Sequence, residues 1–209
     1  KQGEWKMYYG NGNLKKIRTF KDDVEIGEAI DYYDNGNIYK KALHDDKGIV
    51  TKEESYTYRG FLDNTERQTS ADEKEYISYY MNGTIERKVN FLKGHAKDGV
   101  YNIYYDNGSI KKTINYADET QNGPYIEYYE NGNKKEESYY VKGIRDSTHT
   151  YYYENGKVHK RYHYINGKTT GEYEEYYEDG TLYQDGHQQR AFNKINTRNY
   201  YDEQGKRYG

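Results

Sequence analysis

The sequence predicts an all-β fold: an elongated, single-layer meander of tandem antiparallel β-hairpins, with about nine repeats of roughly 24 residues, twisted or curled into a half-pipe. Three observations predict it. A Tyr-Tyr-x-Asn-Gly motif recurs at a fixed period, residues around each copy alternate in polarity, and Asn-Gly between alternating residues is typical of hairpin turns. The turn glycines of the motif are Gly12, Gly36, Gly83, Gly108, Gly132, Gly156 and Gly180.

Composition explains what such repeats can be built from. The chain has 209 residues, a net charge of -3 and only 33% hydrophobic residues, but it contains 31 Tyr. A Tyr ring can stabilise a thin sheet while its hydroxyl stays wet. The chain has no Cys, which excludes disulfides, thiolate nucleophiles and zinc–thiolate sites. No run of 18 apolar residues is present, so we expect no membrane insertion.

The period divides the chain into units within one continuous repeat domain, 1–209. We expect units near 3–26, 27–50, 51–73, 74–98, 99–122, 123–146, 147–170, 171–194 and 195–209. The third unit is degenerate, and the polar stretch 63–70 after Gly60 predicts a loose loop where the array bends. The last unit, 195–209, is predicted to be a C-terminal cap. Because the chain starts at Lys1 rather than Met, we expect a missing N-terminal segment, with a bacterial cytoplasmic or exported location both open.

The Asn-Gly pair predicts a two-residue type I′ turn, in which both central residues have positive φ. This turn would place the second Tyr of each pair opposite an aliphatic residue, as Tyr9 opposite Leu14 and Tyr105 opposite Ile110. Alternation along the strands then predicts a packed face that carries the second Tyr and these aliphatic residues. The predicted packed face comprises Trp5, Tyr9, Tyr33, Tyr80, Tyr105, Tyr129, Tyr153 and Tyr177.

The first Tyr of each pair is predicted to project from the opposite, wetter face, here called the first-Tyr face. Its expected neighbours are charged, such as Lys15 beside Tyr8, Glu86 beside Tyr79, Lys111 beside Tyr104 and Lys135 beside Tyr128. Tyr with a mixed polar rim is typical of protein-binding surfaces. The candidate partner-binding residues are therefore Tyr8, Tyr32, Tyr79, Tyr104, Tyr128, Tyr152 and Tyr176.

Candidate chemistry is sparse. His149 is expected on one face and His159 and His163 on the other, so they do not predict a metal site. The adjacent carboxylates Glu136-Glu137 and Glu174-Glu175 point to opposite faces of their strands, so neither couple predicts acid–base catalysis. Basic spots such as Lys111-Lys112 are interleaved with Glu and form no broad nucleic-acid footprint. We therefore expect no enzyme activity, no cofactor, no metal and no nucleic-acid partner.

The sequences GVYNIYYDNGSIKK at 99–112 and GPYIEYYENGNKK at 123–135 resemble the MORN-variant repeat, which in bacteria is typical of YwqK-like antitoxins. The resemblance covers nearly the whole chain. It implies rows of β-hairpins that act as scaffolds or binding surfaces, and it carries no catalytic residue over to this sequence.

Two classes of function follow. The first is a protein–protein interaction module, with an immunity protein or antitoxin that binds and blocks a partner toxin as its specific form. The alternative is a carbohydrate or cell-wall binding protein, or a structural spacer. A repeat consensus encodes neither the partner's identity nor the oligomeric state.

Overall fold

The computed structural model describes residues 1–189 and 194–208. Within these residues the chain forms 19 β-strands, no helix, and antiparallel strand pairs, which confirms the all-β prediction. The strands are β1 (Gly3–Tyr8), β2 (Leu14–Lys21), β3 (Val24–Glu25), β4 (Gly27–Tyr32), β5 (Ile38–His44), β6 (Val50–Tyr56), β7 (Leu62–Gln68), β8 (Glu73–Tyr79), β9 (Ile85–Leu92), β10 (His95–Ala96), β11 (Gly99–Tyr104), β12 (Ile110–Ala117), β13 (Thr120–Tyr128), β14 (Lys134–Val141), β15 (Ile144–Tyr152), β16 (Val158–Ile165), β17 (Lys168–Tyr176), β18 (Leu182–Gln189) and β19 (Lys194–Tyr200).

The chain divides into two compact units. The first comprises Lys1–Lys97 and Asp106–Gly108, and the second comprises Asp98–Tyr105 and Ser109–Gly209. Each unit is a meander in which a strand pairs with its neighbour in sequence. The two-residue β3 is an exception, because β2 pairs with β3 near its end and with β4 closer to its middle. The predicted bounds of the single repeats stay a prediction. In the last unit, residues 190–193 and 209 lie outside the described residues.

The turn after each Tyr pair differs from the predicted type I′ turn. Gly12 has φ of +86°, but Asn11 is not among the residues with positive φ. Gly12 N donates to Tyr9 O (3.0 Å) and Tyr9 N donates to Asn13 O (2.8 Å), which is a type I turn followed by a left-handed Gly with a G1 bulge. The side-chain Oδ1 of Asn11 accepts from Asn13 N at 3.0 Å, and this Asx turn holds the Asn at negative φ.

The extra turn residue corrects the predicted register beside the turn. In the body of the strands the expected pairing holds, as in Tyr101 opposite Ile114. Next to the turn, the first Tyr of each pair, not the second, faces the aliphatic residue. The observed pairs are Tyr8–Leu14, Tyr32–Ile38, Tyr79–Ile85, Tyr104–Ile110, Tyr152–Val158 and Tyr176–Leu182, with Tyr128 opposite Lys134.

The two-residue turns lie at the other ends of the hairpins. Asp22 and Asp23, with φ of 51° and 67°, connect Lys21 to its cross-strand partner Val24. Two consecutive residues with positive φ define the type I′ turn, whose twist matches that of the flanking strands. The hairpin thus uses a longer turn at its Tyr end and a tight turn at its far end.

The third, degenerate unit is a regular hairpin. Its turn repeats the same geometry, with Gly60 N donating to Thr57 O and Thr57 N to Phe61 O, both at 2.8 Å. The prediction of a loose loop at 63–70 was wrong, because Leu62–Gln68 is a strand that pairs with strands on both sides. Backbone ladder bonds form here without apolar side chains, since each N–H and C=O needs a partner whatever the side chain is.

Candidate protein-binding surfaces

The second Tyr of each pair joins neighbouring hairpins through its hydroxyl. Tyr129 lies just before a turn, half buried, and its OH donates to the backbone carbonyl of Tyr152 at 2.8 Å. The acceptor is the backbone carbonyl of the first Tyr of the next pair, so this bond accounts for the second Tyr of the motif and not for the first. The same bond is made by Tyr9 to Tyr32 (2.6 Å), Tyr33 to Tyr56 (2.9 Å), Tyr105 to Tyr128 (2.7 Å), Tyr153 to Tyr176 (2.7 Å) and Tyr177 to Tyr201 (3.2 Å). The expectation of wet hydroxyls was wrong for these residues.

The Asn of the motif makes a second bond between hairpins. Asn131 Oδ1 accepts from Asn133 N in its own turn (2.9 Å), while its Nδ2 donates to Glu154 O in the next turn (2.9 Å). An Asn can do both because its amide carries an acceptor and two donors. Equivalent Nδ2 bonds run from Asn11 to Asp34 O, Asn35 to Tyr58 O, Asn82 to Asp106 O and Asn155 to Glu178 O.

The bulge also corrects the predicted faces. Lys135 was expected beside Tyr128, but its Nζ lies 5.9 Å from the ring centre of Tyr129 and 3.0 Å from Glu127 Oε1. Both distances place Lys135 on the packed face, within cation–π range of the second Tyr. Lys15 over Tyr9 and Lys111 over Tyr105, each at 5.3 Å, and Glu86 beside Ser78 make the same change of face.

Conversely, the aliphatic residues predicted on the packed face lie on the first-Tyr face, because directly opposed residues of paired strands share a face. These residues are Leu14, Ile38, Ile85, Ile110, Val158 and Leu182. Trp5 and Met7 keep the predicted parity, but they are 48% and 55% exposed. Their strand, β1, is the first of the meander, and neighbouring side chains cover it mainly from the side of β2.

The packed face is thin and rich in polar groups. Its most buried side chains include Ala29, Tyr173 and Ser138, each 4% exposed, and His149, which is fully buried. His149 lies between the rings of Tyr140 and Tyr164, with centroid distances of 5.7 and 4.7 Å. The aromatic character predicted for this face is present, but charged side chains separate the rings.

Two carboxylates face each other on this surface, at Glu127 and Glu136. Glu127 accepts from Tyr125 OH (2.8 Å), and Lys112 and Lys135 lie at 3.1 and 3.0 Å. Burial alone would raise the pKa of Glu127, but the hydrogen bonds from Tyr125 and the two lysines outweigh it and lower the pKa. These partners favour the ionised form of the Glu127 carboxyl group.

Glu136 has a similar environment. Arg145 reaches its Oε1 at 3.4 Å, and Arg145 also donates to the hydroxyls of Tyr140 and Tyr151 at 3.1 and 3.2 Å. Burial would raise the pKa of Glu136, whereas His149, Ser138 and Arg145 lower it, and the net shift is downward. The Glu127–Glu136 pair was missed in the sequence because its members belong to different strands, and only the register brings them together.

The three histidines considered as metal ligands lie in different surroundings. His149 is buried on the packed face, His159 stacks on Tyr153 at 4.3 Å, and His163 lies 3.4 Å from Thr148. His159 was expected on the other face, and the bulge again accounts for the change. Among the described residues, no group of three or more His, Asp or Glu side chains could hold a metal ion. Burial lowers the pKa of His159, with Lys160 adding to the effect.

The first-Tyr row is less exposed than predicted. Tyr8 is 59% exposed, whereas the other six members of the row are half buried, five of them opposite an aliphatic residue and Tyr128 opposite Lys134. Tyr152 also donates to Glu137 Oε2 at 3.0 Å, and burial together with this bond raises its pKa. The role of this row in binding a partner stays a prediction.

An exposed apolar patch lies on the first-Tyr face of the second unit, near the tight turn of β14 and β15. Tyr139 is 42% exposed, Val141 44% and Ile144 50%. Pro124, also exposed, lies directly opposite Tyr139, and Val141 lies directly opposite Ile144. This patch was missed in the sequence, although Tyr139 and Val141 alternate along β14 and the two-residue Lys142-Gly143 turn places Ile144 opposite Val141.

In the pairs Lys15-Lys16 and Lys111-Lys112, the second lysine is bound to an acid: Lys16 lies 3.3 Å from Asp31, and Lys112 lies 3.1 Å from Glu127. For the part of the chain that the structure describes, no helix could cross a bilayer.

Comparison with protein families decides the relationship. The family described as MORN repeat variant matches six segments that together make up more than half of the chain. The chain belongs to the MORN repeat variant family. The matched segments are 1–22, 25–46, 97–118, 121–142, 145–166 and 169–189. The MORN repeats thus recur at the 24-residue spacing of the Tyr–carbonyl bonds, and the matches leave out residues 47–96, where the motif is degraded in the third unit. No curated protein sequence matched the chain.

Comparison with solved structures adds little. One match is the crystal structure of TcdB2-TccC3, at 12% sequence identity and a TM-score of 0.24. The match covers 95% of this chain and 13% of the TcdB2-TccC3 chain. Another is the Photorhabdus luminescens Tc holotoxin pore with the mutation TccC3-D651A, at 10% identity and a TM-score of 0.24, covering 98% of this chain and 14% of that one. The MORN chain spans only these fractions of the longer chains, and at such TM-scores the likeness carries no argument.

Proposed function

We propose that this chain is a non-enzymatic protein–protein interaction module that binds its partner through the first-Tyr face of the second unit. The observation that carries the proposal is the exposed patch of Pro124, Tyr139, Val141 and Ile144. Interface cores are rich in Tyr and apolar side chains and carry a polar rim. The half-buried Tyr128 and Tyr152 extend this surface along β13 and β15.

The non-enzymatic part of the proposal is supported by the electrostatics of the packed face. Its opposed carboxylates, Glu127 and Glu136, each have cationic partners and lowered pKa values. Neither is held protonated near neutral pH, which a general acid would require. As the specific form of the module we propose an immunity protein or antitoxin that covers the surface of a toxin. This rests on the family relationship and on the apolar patch.

The experiment is affinity capture from the source cells with matched variants. Ile144→Asp places a charge in the exposed patch, and Met81→Asp places the same charge at a 65% exposed turn residue of the first unit. Loss of a central contact of about 2 kcal/mol corresponds to roughly thirtyfold in affinity. We expect wild type and Met81→Asp to retain the same protein and Ile144→Asp to lose it. Equal retention by both variants, or no retained protein, would refute the proposal.

A carbohydrate-binding function is the second candidate, and one observation favours it. Tyr39 and Tyr58 are 47% and 54% exposed, and each meets Tyr33 edge to face at 5.1 Å in the first unit. Exposed rings of this kind offer flat apolar surface with a polar hydroxyl. A polysaccharide pull-down that is positive for wild type and negative for Tyr39→Ala would support this candidate over the first.

A further inference from the structure

The second hairpin of the first unit lacks an aromatic ring at a position where most hairpins have one. The position four residues before the second Tyr of the pair holds Trp5, Tyr76, Tyr101, Tyr125, His149 and Tyr173 in other hairpins. In the second hairpin it is Ala29, which is 4% exposed and lies directly opposite Ala42. The two alanines form the floor of a cleft of about 210 Å³ on the packed face.

The cleft has charged walls. Its lining comprises Arg18, Glu25, Ala29, Asp31, Lys40, Ala42, His44, Val50 and Glu53. It is smaller than the roughly 300–1,000 Å³ of sites that enclose a drug-sized ligand or a cofactor. A single long side chain is therefore a better match to its size than a complete small-molecule ligand.

The one arginine of the cleft is already committed to groups of the chain itself. Arg18 Nε reaches Glu25 Oε1 at 2.9 Å, and its Nη1 donates to Ile17 O and Ile30 O at 2.7 and 3.1 Å. Its Nη2 donates to Asp31. A guanidinium has five N–H donors, and four contacts to the chain leave little for an incoming anion. The arginine therefore organises the carboxylates and does not offer an anion site.

The carboxylates of the cleft have more room for a further hydrogen-bond donor than the arginine has for an acceptor. Glu53 has Lys40 Nζ at 2.6 Å from its Oε2, and a carboxylate offers about four lone-pair positions. Three carboxylates stand against two cations in the lining, and Lys16 also reaches Asp31 Oδ2 at 3.3 Å, so unused acceptor positions rather than net charge distinguish the cleft. His44 is 12% exposed, with its Nε2 3.8 Å from Glu25 Oε1. Its Nδ1 is buried without a hydrogen-bond partner among the described residues.

We propose that this cleft binds one arginine side chain presented by a protein partner, an inference that rests on the proposed function and names the chemistry of a second contact. A guanidinium is planar and donates through paired N–H groups, so it can bridge two carboxylates, whereas an ammonium acts as a point charge. Its aliphatic stem would lie on the methyl groups of Ala29 and Ala42, where other hairpins carry a ring.

The experiment follows the alanine methyl groups by NMR with N-acetyl-arginine amide as the probe. N-acetyl-citrulline amide, which has the same shape but no charge, is the matched control. We expect a saturable shift at the Ala29 and Ala42 methyls with the arginine probe and at least tenfold weaker binding of the citrulline probe. No saturable shift, or equal binding of both probes, would overturn the proposal.

Two variants separate the cleft from general changes in the fold. Ala29→Tyr restores the ring of the other hairpins, and we expect it to abolish the shift at Ala42. Glu53→Gln removes one acceptor charge and should weaken binding severalfold, whereas Glu28→Gln, an exposed carboxylate on the opposite face of β4, should leave it unchanged. If Ala29→Tyr does not fold, the comparison of Glu53→Gln with Glu28→Gln decides.

The outcomes also separate this proposal from the proposed function. If wild type retains a protein partner that Ala29→Tyr retains equally, and the probe causes no shift, the cleft proposal fails while the interaction module stands. If the probe binds but no protein partner is captured, the proposed function fails instead, and the cleft remains a guanidinium site without a known presenter.

Discussion

The bond from the second Tyr to the next hairpin can be tested by removing a single oxygen atom, with Tyr129→Phe. The Tyr129 hydroxyl donates to Tyr152 O at 2.8 Å, and the variant keeps the ring beside Lys135. A typical hydrogen bond contributes about 0.5–1.5 kcal/mol net. Water can reach the half-buried carbonyl, so the larger penalty for an unsatisfied group does not apply in full. We expect a loss of about 1 kcal/mol in the free energy of unfolding.

The assay is urea unfolding followed by circular dichroism, with thermal unfolding as a second readout. For a domain of about 150–250 residues, a loss of about 1 kcal/mol lowers Tm by roughly 2–4 °C. The matched control is Tyr139→Phe, because Tyr139 is 42% exposed. The control should change stability by less than about 0.5 kcal/mol. Equal effects of the two variants would refute the inter-hairpin role of the second Tyr.

Three further predictions follow from the same structure. Gly12→Ala, at φ of +86°, should cost about 1–3 kcal/mol because an L side chain is strained there, whereas Gly10→Ala in the same turn should be neutral in urea unfolding. Glu127 has a lowered pKa in the folded state, so its contribution to stability is present above its unfolded pKa of about 4.3 and is lost as pH falls further. Glu127→Gln should flatten stability against pH in this range, and an unchanged slope would count against the ion pairs. Burial, with the bond to Glu54, raises the pKa of Tyr56 to about 12, so its contribution is present below pH 10 and lost between pH 10 and 12. Tyr56→Phe should reduce this alkaline loss and remove one tyrosine from the tyrosinate absorbance that appears near pH 12, and a wild-type titration complete by pH 10 would contradict the shift.

Much of the fold could be predicted because the repeat carries several agreeing signals. The period places the hairpins, and the alternation along the first strand of each hairpin has the observed parity. The turn type could not be decided from Asn-Gly, which suits both a type I′ turn and a type I turn with a left-handed Gly. The Asx bond of Asn11 and the bond of its Nδ2 to Asp34 O favour the second form. The Nδ2 bond depends on the neighbouring hairpin, which a local pattern does not show.

The candidate surface was less predictable for a related reason. One extra turn residue moved Lys135 to the packed face and brought the aliphatic residues under the first Tyr, so the predicted wet row became half buried. The patch around Val141 and Ile144 follows from the register at the tight turn, and the opposed Glu127 and Glu136 follow from pairing between strands. Such features arise from residues on different strands that the register brings opposite each other, where side-chain alternation along one strand makes no prediction.

The most direct test of the proposed interaction is hydrogen–deuterium exchange of the chain alone and with its captured partner. We predict added protection in β13 (Thr120–Tyr128) and β14 (Lys134–Val141), around the patch of Tyr139 and Val141, and its loss with Ile144→Asp. A partner that leaves the exchange of these strands unchanged would contradict the assignment of the first-Tyr face as the binding surface.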